Sequence, residues 1–444
     1  MRAALLLIAG LLAVHRAPQA PPNVIFIMTD DMGYGDIGPY GVTDTKTPHL
    51  DRLARDGVRL TDGYANGANC SPTRAGFITG RYQQRVGFEA PLRSAHDHEL
   101  GLAPSDTSLP RLLKAGGYAT GLVGKWHLGF KPEFGPNVHG FDEFFGLLAG
   151  AVDFYSHRRG DGTPDLYENT TPVQAAGYLT DEISDRSVRF IERHAKGPFF
   201  LEVAYTAPHW PFQPPDRRPA DPLAVPNPSG VGDRRLWQRA EDAVPATRAD
   251  YVRMVERADE GVGKILAALD RLGLAANTLV IFTNDNGGEW LSRNDPFSNR
   301  KSTLWEGGIR VPMILRWPGR IAAATTSPQV AITMDLAASI VAASGVSTPE
   351  AYRPEGIDIL PILAGTAPAV RREIFWRIPG SSAPQKAVRS GNWKLLQESG
   401  VDRLFDLRAD PGEKHDVAAD HPELVRRLKA SLAAWEKDVD ARPL

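Results

Sequence analysis

This 444-residue sequence has only one cysteine. It also has almost no excess of charge of either sign and lacks an apolar run long enough to span a membrane. Its single cysteine excludes a disulfide within the chain and a zinc site built from several cysteines. With 51 Lys and Arg against 53 Asp and Glu, the formal charge is −2, so the positive excess of a general nucleic-acid binder is absent. We therefore expect no nucleic-acid partner and no stable membrane span.

The remaining composition is that of an ordinary globular protein. Hydrophobic residues make up 42% of the chain and charged residues 23%, which argues against long disorder and coiled coil. At about 150 residues per domain the length predicts two or three units, although an α/β core can be longer. A chain longer than about 300 residues buries roughly three quarters of its unfolded surface, so its core needs neither disulfides nor zinc.

Residues 1–20 have the pattern of a signal peptide. Arg2 precedes an apolar run over residues 3–14, and small and polar residues follow at 17–20. The run is shorter than the roughly 20 residues that a membrane-spanning helix needs, and it suits a signal-peptide core. The sequence thus predicts an exported protein, periplasmic or secreted. A buried or frayed N-terminal helix is the alternative, because the cleavage site is not a clean Ala-x-Ala.

Segment 21–366 alternates apolar runs with helical patterns. The runs are continuous, which is typical of parallel strands covered by helices on both faces. We predict such strands at 24–28, 121–124, 199–205, 279–283 and 311–315, and helices at 49–56, 109–115, 180–194 and 249–272. This alternation indicates a doubly wound α/β domain with a mostly parallel sheet flanked by helices. The proline-rich stretch 211–228 predicts a surface loop.

Segment 367–444 has a different pattern. Runs with β-strand character lie at 373–377, 387–396 and 403–407, and a helical pattern extends from Pro422 to about Val439. Strands followed by one helix predict a small antiparallel sheet and helix packed on the main domain, an α+β subdomain.

Two of the predicted strands end in carboxylates. Asp30 and Asp31 follow the first strand, and Asp285 and Asn286 follow a later one. Ligands of open α/β sheets lie beyond the carboxyl ends of the strands, so the two segments can converge there. Oxygen donors of this kind suit a hard cation, and Ca²⁺ tolerates irregular coordination better than Mg²⁺. The alternative is that these residues cap the following turns or helices.

The single cysteine stands at a predicted helix start. Pro72 suits the first turn of a helix, which places Cys70 at the N-terminus, where unpaired N–H groups and the helix dipole favour negative charge. Arg74 follows one turn later and can hold an anion or brace the cysteine. An inert, buried cysteine is the alternative. The polar flanking residues favour a functional position.

The motif Cys70-x-Pro72-x-Arg74, followed by Thr79-Gly80-Arg81, resembles the signature of the type I sulfatases, which are arylsulfatase-like members of the alkaline phosphatase superfamily. Segment 117–127, GYATGLVGKWH, is similar to the second signature of that family. Further matches occur in family order as Asp30-Asp31, Ala207-Pro208-His209, Asp285-Asn286-Gly287, Lys301 before Glu306-Gly307-Gly308, and Leu404-Phe405-Asp406-Leu407 with Asp410-Pro411. The ordered set is far more specific than any one of its motifs.

The resemblance implies an alkaline-phosphatase-like fold and a formylglycine made from Cys70 by a maturation enzyme. The hydrated aldehyde attacks sulfur, and one Ca²⁺ per chain is held by Asp30, Asp31, Cys70, Asp285 and Asn286. Further catalytic residues carried over from the family are Arg74, Lys125, His127, His209 and Lys301. In that scheme Arg74 and Lys125 orient the nucleophile, and Asp285 accepts its proton. His209 and Lys301 bind sulfate and protonate the leaving oxygen, and His127 takes the proton whose removal expels sulfate.

Taken singly, each of these residues has a simpler explanation, such as a solvated lysine, a core histidine or an arginine that braces a helix. Together they predict a sulfuric ester hydrolase that converts an aryl sulfate or a sulfated carbohydrate to an alcohol and inorganic sulfate. A phosphodiester or phosphonate monoester hydrolase of the same superfamily is the alternative function. A catalytically silent binding protein on the same scaffold is a second alternative, disfavoured because the nucleophile, cations and ligands are all present.

Overall fold

The structure is a computed structural model that describes residues 20–94, 96–217, 246–379 and 384–441. Its strands are β1 Asn23–Thr29, β2 Val58–Leu60, β3 Gly63–Tyr64, β4 Ala119–Lys125, β5 Glu143–Leu147, β6 Tyr167–Glu168, β7 Thr171–Pro172, β8 Phe199–Ala204, β9 Thr278–Asn284, β10 Met313–Arg316, β11 Thr325–Ser327, β12 Ala331–Ile332, β13 Glu373–Ile378, β14 Gln385–Ser390, β15 Trp393–Glu398 and β16 Val401–Asp406. Its α-helices are α1 Pro48–Arg55, α2 Cys70–Thr79, α3 Leu109–Ala115, α4 Leu179–His194, α5 Arg248–Arg271, α6 Glu306–Ile309, α7 Thr333–Ser344, α8 Leu360–Leu363 and α9 Pro422–Ala441.

A large mixed sheet forms the centre of the described chain. Its strand order is β11-β2-β10-β9-β1-β8-β4-β5-β6-β7, and β1 lies between two parallel neighbours, β8 and β9. Every residue of these three strands is buried, which explains why their sequences are continuous apolar runs. The predicted doubly wound, mostly parallel α/β core is confirmed.

Helices cover both faces of this sheet. One face packs against α1, α4 and α5, through residues such as Leu53, Ile183 and Val262. The other packs against α2, α3 and α7, through residues such as Phe77 and Leu336. Each face has its own apolar cluster, so the core is two layers divided by the sheet.

One strand of the core runs in the direction opposite to the prediction. The apolar run 311–315 is predicted as a parallel strand, but β10 is antiparallel to both β9 and β2. Composition does not distinguish the two directions here, because a central strand is buried on both faces in either case.

The C-terminal segment forms a separate four-stranded antiparallel sheet in the order β13-β14-β15-β16, followed by α9. The run 387–396, predicted as one strand, is a hairpin whose turn is Gly391-Asn392, with Gly391 at φ 61°. Glycine adopts this left-handed conformation without steric cost. The sheet packs on the main domain through Tyr64, Ile332 and Trp376, and Trp376 Nε1 donates to the carbonyl oxygen of Ala65 at 2.8 Å.

The predicted signal peptide at 1–20 lies, except for its last residue, outside the described residues, as does part of the predicted loop at 211–228. Across the described ranges, no helix has both the length and the hydrophobicity needed to cross a bilayer.

Candidate active site and cation site

The two carboxylate segments lie side by side because their strands are neighbours. Thr29 at the end of β1 pairs with Asn284 at the end of β9, so Asp30 and Asp285 leave the sheet at the same edge. The backbone N–H of Asp31 donates to Asp285 Oδ1 at 3.4 Å, although 254 positions separate the residues. The convergence predicted at the carboxyl ends of these strands is present.

Asn284 joins the two segments, a role that the sequence reasoning did not assign to it. Its Oδ1 accepts from Thr29 Oγ1 at 2.9 Å and from the Met32 backbone N–H at 3.3 Å. Its Nδ2 donates to the carbonyl oxygen of Met32 at 2.8 Å. A buried amide that bonds to the neighbouring strand end fixes how the acidic loops face each other. Its position just before Asp285 was the available signal.

Cys70 is the first residue of α2, as the proline spacing predicts. The thiol is buried and its Sγ donates to Asp30 Oδ1 at 3.3 Å. Burial, together with the carboxylates of Asp285 and Asp30, raises the pKa of the Cys70 thiol well above its ordinary value. The expected stabilisation of negative charge by the helix N-terminus is therefore outweighed at this position.

Arg74 lies one turn further along α2 and points into the same cluster. Its Nη2 donates to Asp285 Oδ2 at 3.0 Å, and its Nη1 donates to the carbonyl oxygen of Lys125 at 3.1 Å. Burial, then the carboxylate of Asp30, raise the pKa of Asp285 to about 7, although Arg74 acts in the opposite direction. The guanidinium thus holds one acidic loop against the end of β4.

Lys125 at the end of β4 is also fully buried. Its Nζ forms a 2.5 Å ion pair with Asp30 Oδ2. The other oxygen of Asp30, Oδ1, accepts from Cys70 Sγ. The Asp30 carboxylate therefore bonds to both the Lys125 amine and the Cys70 thiol.

Lys301 and His209 meet at Asp31. Lys301 Nζ is 2.6 Å from Asp31 Oδ2, and His209 Nε2 is 3.3 Å from both Asp31 Oδ2 and Lys301 Nζ. Burial alone would raise the pKa of Asp31, but the charge and hydrogen bond of Lys301 hold it below its usual value. Burial lowers the pKa of His209 to about 3, and Asp31 offsets this only in part. His209 is therefore a neutral imidazole in this arrangement.

His127 follows β4 in a left-handed conformation with φ 59°. Its Nε2 lies 2.8 Å from the carbonyl oxygen of Leu92, so Nε2 carries the proton and Nδ1 is a lone pair. Nδ1 is buried and has no partner within the described ranges. Burial, then Lys125, hold the pKa of this imidazole well below its ordinary value. The geometry presents an unprotonated ring nitrogen of the kind that a general base needs.

The donor set fits a divalent cation. Ligand atoms of Asp30, Asp31, Cys70 and His209 lie within 4.8 Å of one another. Oδ1 of Asn286 is buried without a hydrogen-bond partner in the part of the chain that the structure describes, while its Nδ2 donates to Asp31 Oδ1 at 2.8 Å. A buried oxygen left without a donor is the group that a cation satisfies. His209, which the resemblance does not give as a ligand, borders the same space.

Nine of the ten site residues that the sequence reasoning named contact one another, and the tenth, His127, follows the same strand end as Lys125. The ten are Asp30, Asp31, Cys70, Arg74, Lys125, His127, His209, Asp285, Asn286 and Lys301, and all are buried except Lys301, which is intermediate. His127 bonds outside the acidic cluster: its Nε2 donates to the Leu92 carbonyl oxygen, and its own carbonyl oxygen accepts from Ser71 Oγ at 2.9 Å.

Family models and known proteins are similar to this chain over most of its length. The sulfatase family model matches residues 22–346, and a model for the C-terminal region of N-sulphoglucosamine sulphohydrolase matches residues 297–438. The chain is 34% identical to N-acetylgalactosamine-6-sulfatase of Homo sapiens, over 96% of this chain and 88% of the human protein. It is 31% identical to N-acetylgalactosamine-6-O-sulfatase of Bacteroides thetaiotaomicron, over 93% of this chain and 92% of that protein.

A solved structure is similar along nearly the whole chain. The crystal structure of Ps i-CgsB is 30% identical, with a TM-score of 0.82, and the match covers 94% of this chain and 92% of that one. The same protein in complex with k-i-k-neocarrahexaose matches with a TM-score of 0.81 at the same coverage.

Proposed function

This chain belongs to the sulfatase family of the alkaline phosphatase superfamily and hydrolyses sulfate esters, and we propose that its substrate is a sulfated carbohydrate. The observation that carries the proposal is the match to sugar sulfatases over more than nine tenths of the chain. An aryl sulfate serves as a small chromogenic substrate of the same site. The alternative, a phosphodiester or phosphonate hydrolase, has less support than the sulfatase function.

We further propose that Cys70 is converted to formylglycine by a maturation enzyme and that the cation is one Ca²⁺ per chain. Asp30, Asp31, Asp285, Asn286 and the modified Cys70 would hold the ion. The aldehyde, when present and hydrated, supplies the hydroxyl nucleophile, and the cation, when bound, supplies fixed positive charge for the sulfate oxygens. The position of Cys70 at the start of α2, with Sγ 3.3 Å from Asp30 Oδ1, supports this proposal, because a hydroxyl formed there would stand beside the carboxylates that would hold the ion.

Three cations orient the reacting groups. Arg74 pairs with Asp285 and Lys125 pairs with Asp30, which positions them to hold the nucleophile next to these carboxylates. Lys301 pairs with the third carboxylate, Asp31, and binds the sulfate group. Fixed cations in a buried site stabilise a dispersed negative charge strongly, because little reorganisation is needed during the reaction.

Two histidines handle protons at different atoms. His209 Nδ1 donates to the carbonyl oxygen of Trp210 at 2.5 Å, so its Nε2 lone pair accepts from Lys301 Nζ. This contact holds Lys301 in place to deliver a proton to the departing oxygen. His127 offers its unpartnered Nδ1 as the base whose proton uptake accompanies sulfate release.

A substrate panel tests the proposed function. Wild-type enzyme and a Cys70→Ala variant are assayed on sulfated mono- and oligosaccharides, an aryl sulfate and an aryl phosphonate, with intact-mass analysis of residue 70. We expect desulfation of at least one sugar, a mass below that of the cysteine form, and no turnover by the variant. Faster cleavage of the phosphonate would refute the assignment, and unchanged activity of the variant would refute the nucleophile.

We propose in addition that residues 1–20 are a signal peptide and that the protein is exported to the periplasm or secreted. The segment has a charged residue, then an apolar run, then small and polar residues, and this order supports the proposal. We also propose a catalytic domain at 21–366 and an α+β subdomain at 367–444. The separate hydrogen bonding of the C-terminal sheet supports that division. Fractionation of cells that express the full chain, with N-terminal sequencing, tests the export proposal.

A further inference from the structure

The loop that carries Lys301 is attached to the C-terminal sheet just beyond that residue. The backbone N–H of Leu304 donates to Gln385 Oε1 at 2.6 Å, and Gln385 is the first residue of β14. The side chain of Gln385 is buried, and its Nε2 donates to Glu398 Oε1 on β15 at 2.9 Å. One glutamine therefore links the sheet to a position three residues after Lys301.

A second attachment holds the start of α6. Lys394 Nζ on β15 lies 2.9 Å from Glu306 Oε1 and 2.8 Å from Glu413 Oε1, and all three residues are buried. Glu413 also accepts from the backbone N–H of Glu306 at 2.6 Å. Removal of either carboxylate would leave buried charge uncompensated, which costs free energy. These contacts therefore hold the start of α6 to β15.

At its other end the same loop touches the active site. The Lys301 backbone N–H donates to the Gly288 carbonyl oxygen at 3.2 Å, and Ser302 Oγ donates to Asn69 Oδ1 at 2.8 Å. Asn69 directly precedes Cys70. Ser302 has φ 67°, a left-handed conformation that a serine adopts at an energetic cost and that its surroundings must enforce.

From these contacts we propose that Gln385 is a positioning residue of the C-terminal sheet that holds the Lys301 loop in the shape required for sulfate binding. The inference rests on the proposed role of Lys301. A lysine has four rotatable side-chain bonds, so the placement of its backbone decides whether the ammonium reaches its target at low entropic cost. The main domain and the C-terminal subdomain then contribute jointly to one sulfate site.

The test uses the full-length matured enzyme and inorganic sulfate as the probe. Gln385→Met keeps the side-chain volume but removes the acceptor for Leu304. Gln397→Met is the matched control, because Gln397 lies on the same sheet and donates to Asp402 Oδ1 at 2.6 Å, away from the loop. Calorimetric sulfate affinity, KM and kcat are measured for both variants, for Lys301→Ala and for the Gln385→Met/Lys301→Ala double variant.

We expect Gln385→Met to weaken sulfate binding and raise KM by about tenfold, the equivalent of ~1.4 kcal/mol, with a smaller change in kcat. Gln397→Met is expected to bind sulfate like the wild type. In the Lys301→Ala background, Gln385→Met should have no further effect, because its action passes through Lys301. Gln385→Glu, which keeps an acceptor oxygen for Leu304, should retain sulfate affinity even if it folds less stably next to Glu398.

Two results would overturn the inference while leaving the proposed function intact. One is equal sulfate affinity in the Gln385→Met and Gln397→Met variants. The other is an additive loss in the double variant, which would mean that Gln385 does not act through Lys301. By contrast, undiminished sulfate binding in Lys301→Ala alone would refute the role of Lys301 itself, whatever the glutamine variants show. If Gln385→Met does not fold, a loss of sulfate affinity in Gln385→Glu would also refute the inference.

Discussion

Arg74 Nη2 donates to Asp285 Oδ2 at 3.0 Å, and the side chains of both residues are almost fully removed from solvent. The same guanidinium reaches the carbonyl oxygen of Lys125 through Nη1. One planar group thus connects the ends of two strands that are not neighbours in the sheet, β9 and β4. The planar guanidinium of an arginine donates to two acceptors in fixed directions, whereas the ammonium of a lysine does not fix their relative positions in this way.

We therefore predict that Arg74→Lys lowers kcat by about 100-fold, because the ammonium cannot hold both Asp285 and the end of β4 in place. Steady-state kinetics on an aryl sulfate measures the change. Arg85→Lys is the control, since Arg85 is a buried arginine whose ion pairs are with Glu355, at 2.7 Å, and with Asp438. A kcat for Arg74→Lys within threefold of the control would contradict the prediction.

His127 has a counterpart elsewhere in the fold that allows a matched comparison. His139 is also buried, its Nε2 lies 3.1 Å from the Leu102 carbonyl oxygen, and its Nδ1 likewise has no partner among the described residues. Burial lowers the pKa of His139 to about 4. The two imidazoles therefore differ mainly in location.

We predict that His127→Gln lowers kcat by about 100-fold, since glutamine keeps a donor for the Leu92 carbonyl oxygen but offers no basic nitrogen in place of Nδ1. His139→Gln is expected to leave kcat within a factor of about two of the wild type. The two variants should change the free energy of unfolding by similar amounts. Kinetics and thermal unfolding of both variants provide the measurement. Equal kcat values for the two variants would remove His127 from the mechanism.

The cation proposal predicts a binding effect that needs no turnover. Three carboxylates and an unsatisfied amide oxygen are buried together, so Ca²⁺ should stabilise the folded protein and raise its melting temperature. At a Ca²⁺ concentration about 100 times Kd, the free energy of unfolding should increase by about 2.7 kcal/mol. Asp31→Asn removes one charged ligand and should abolish most of that increase. Asp335→Asn is the control, because Asp335 is buried at the start of α7 and bonds to the Ile332 and Ile357 backbone N–H groups.

Thermal unfolding with chelator, with Ca²⁺ and with Mg²⁺ distinguishes the outcomes. The Asp335→Asn variant should be less stable in all three conditions and yet keep the full response to Ca²⁺. A response of the wild type that is equal for Mg²⁺ and Ca²⁺ would contradict the choice of Ca²⁺. No response to either ion would contradict the cation site.

The sequence predicts which residues form the site better than it predicts the contacts between them. Asp30, Asp285 and Cys70 are each marked by local pattern, a carboxylate after an apolar strand or a cysteine before Pro72. Their contacts depend on the order of the strands in the sheet, which no local spacing contains, since β1 pairs with a strand about 250 residues away. The bridging roles of Arg74 and Asn284 follow from that pairing.

Two errors have different physical origins. The antiparallel direction of β10 leaves no trace in composition, because all of its residues are buried and a central strand of either direction is covered on both faces. The hairpin within 387–396 did leave a signal, namely Gly391-Asn392 between two strand-like runs, and glycine and asparagine favour such turns.

Glu202 provides a final prediction that is independent of catalysis. This carboxylate lies in the middle of β8, and its Oε2 is buried without a hydrogen-bond partner within the described ranges. Burial raises its pKa from an ordinary value of 4.5 to about 7, although Arg74 acts in the opposite direction. The folded protein therefore holds this proton more tightly than the unfolded chain, so Glu202 lowers stability progressively as the pH rises from about 4.5 to 7.

The Glu202→Gln variant should lose this dependence. Relative to the wild type it gains stability as the pH rises, reaching a difference on the order of 3 kcal/mol above pH ~7, because a neutral amide has no ionisation cost. Chemical unfolding between pH 5 and pH ~8 in the presence of chelator measures the difference without a contribution from cation binding. Glu133→Gln, at an exposed position, should follow the wild-type curve at every pH. A wild-type-like pH slope in Glu202→Gln would contradict the prediction, because it would mean that folding does not raise the pKa of Glu202.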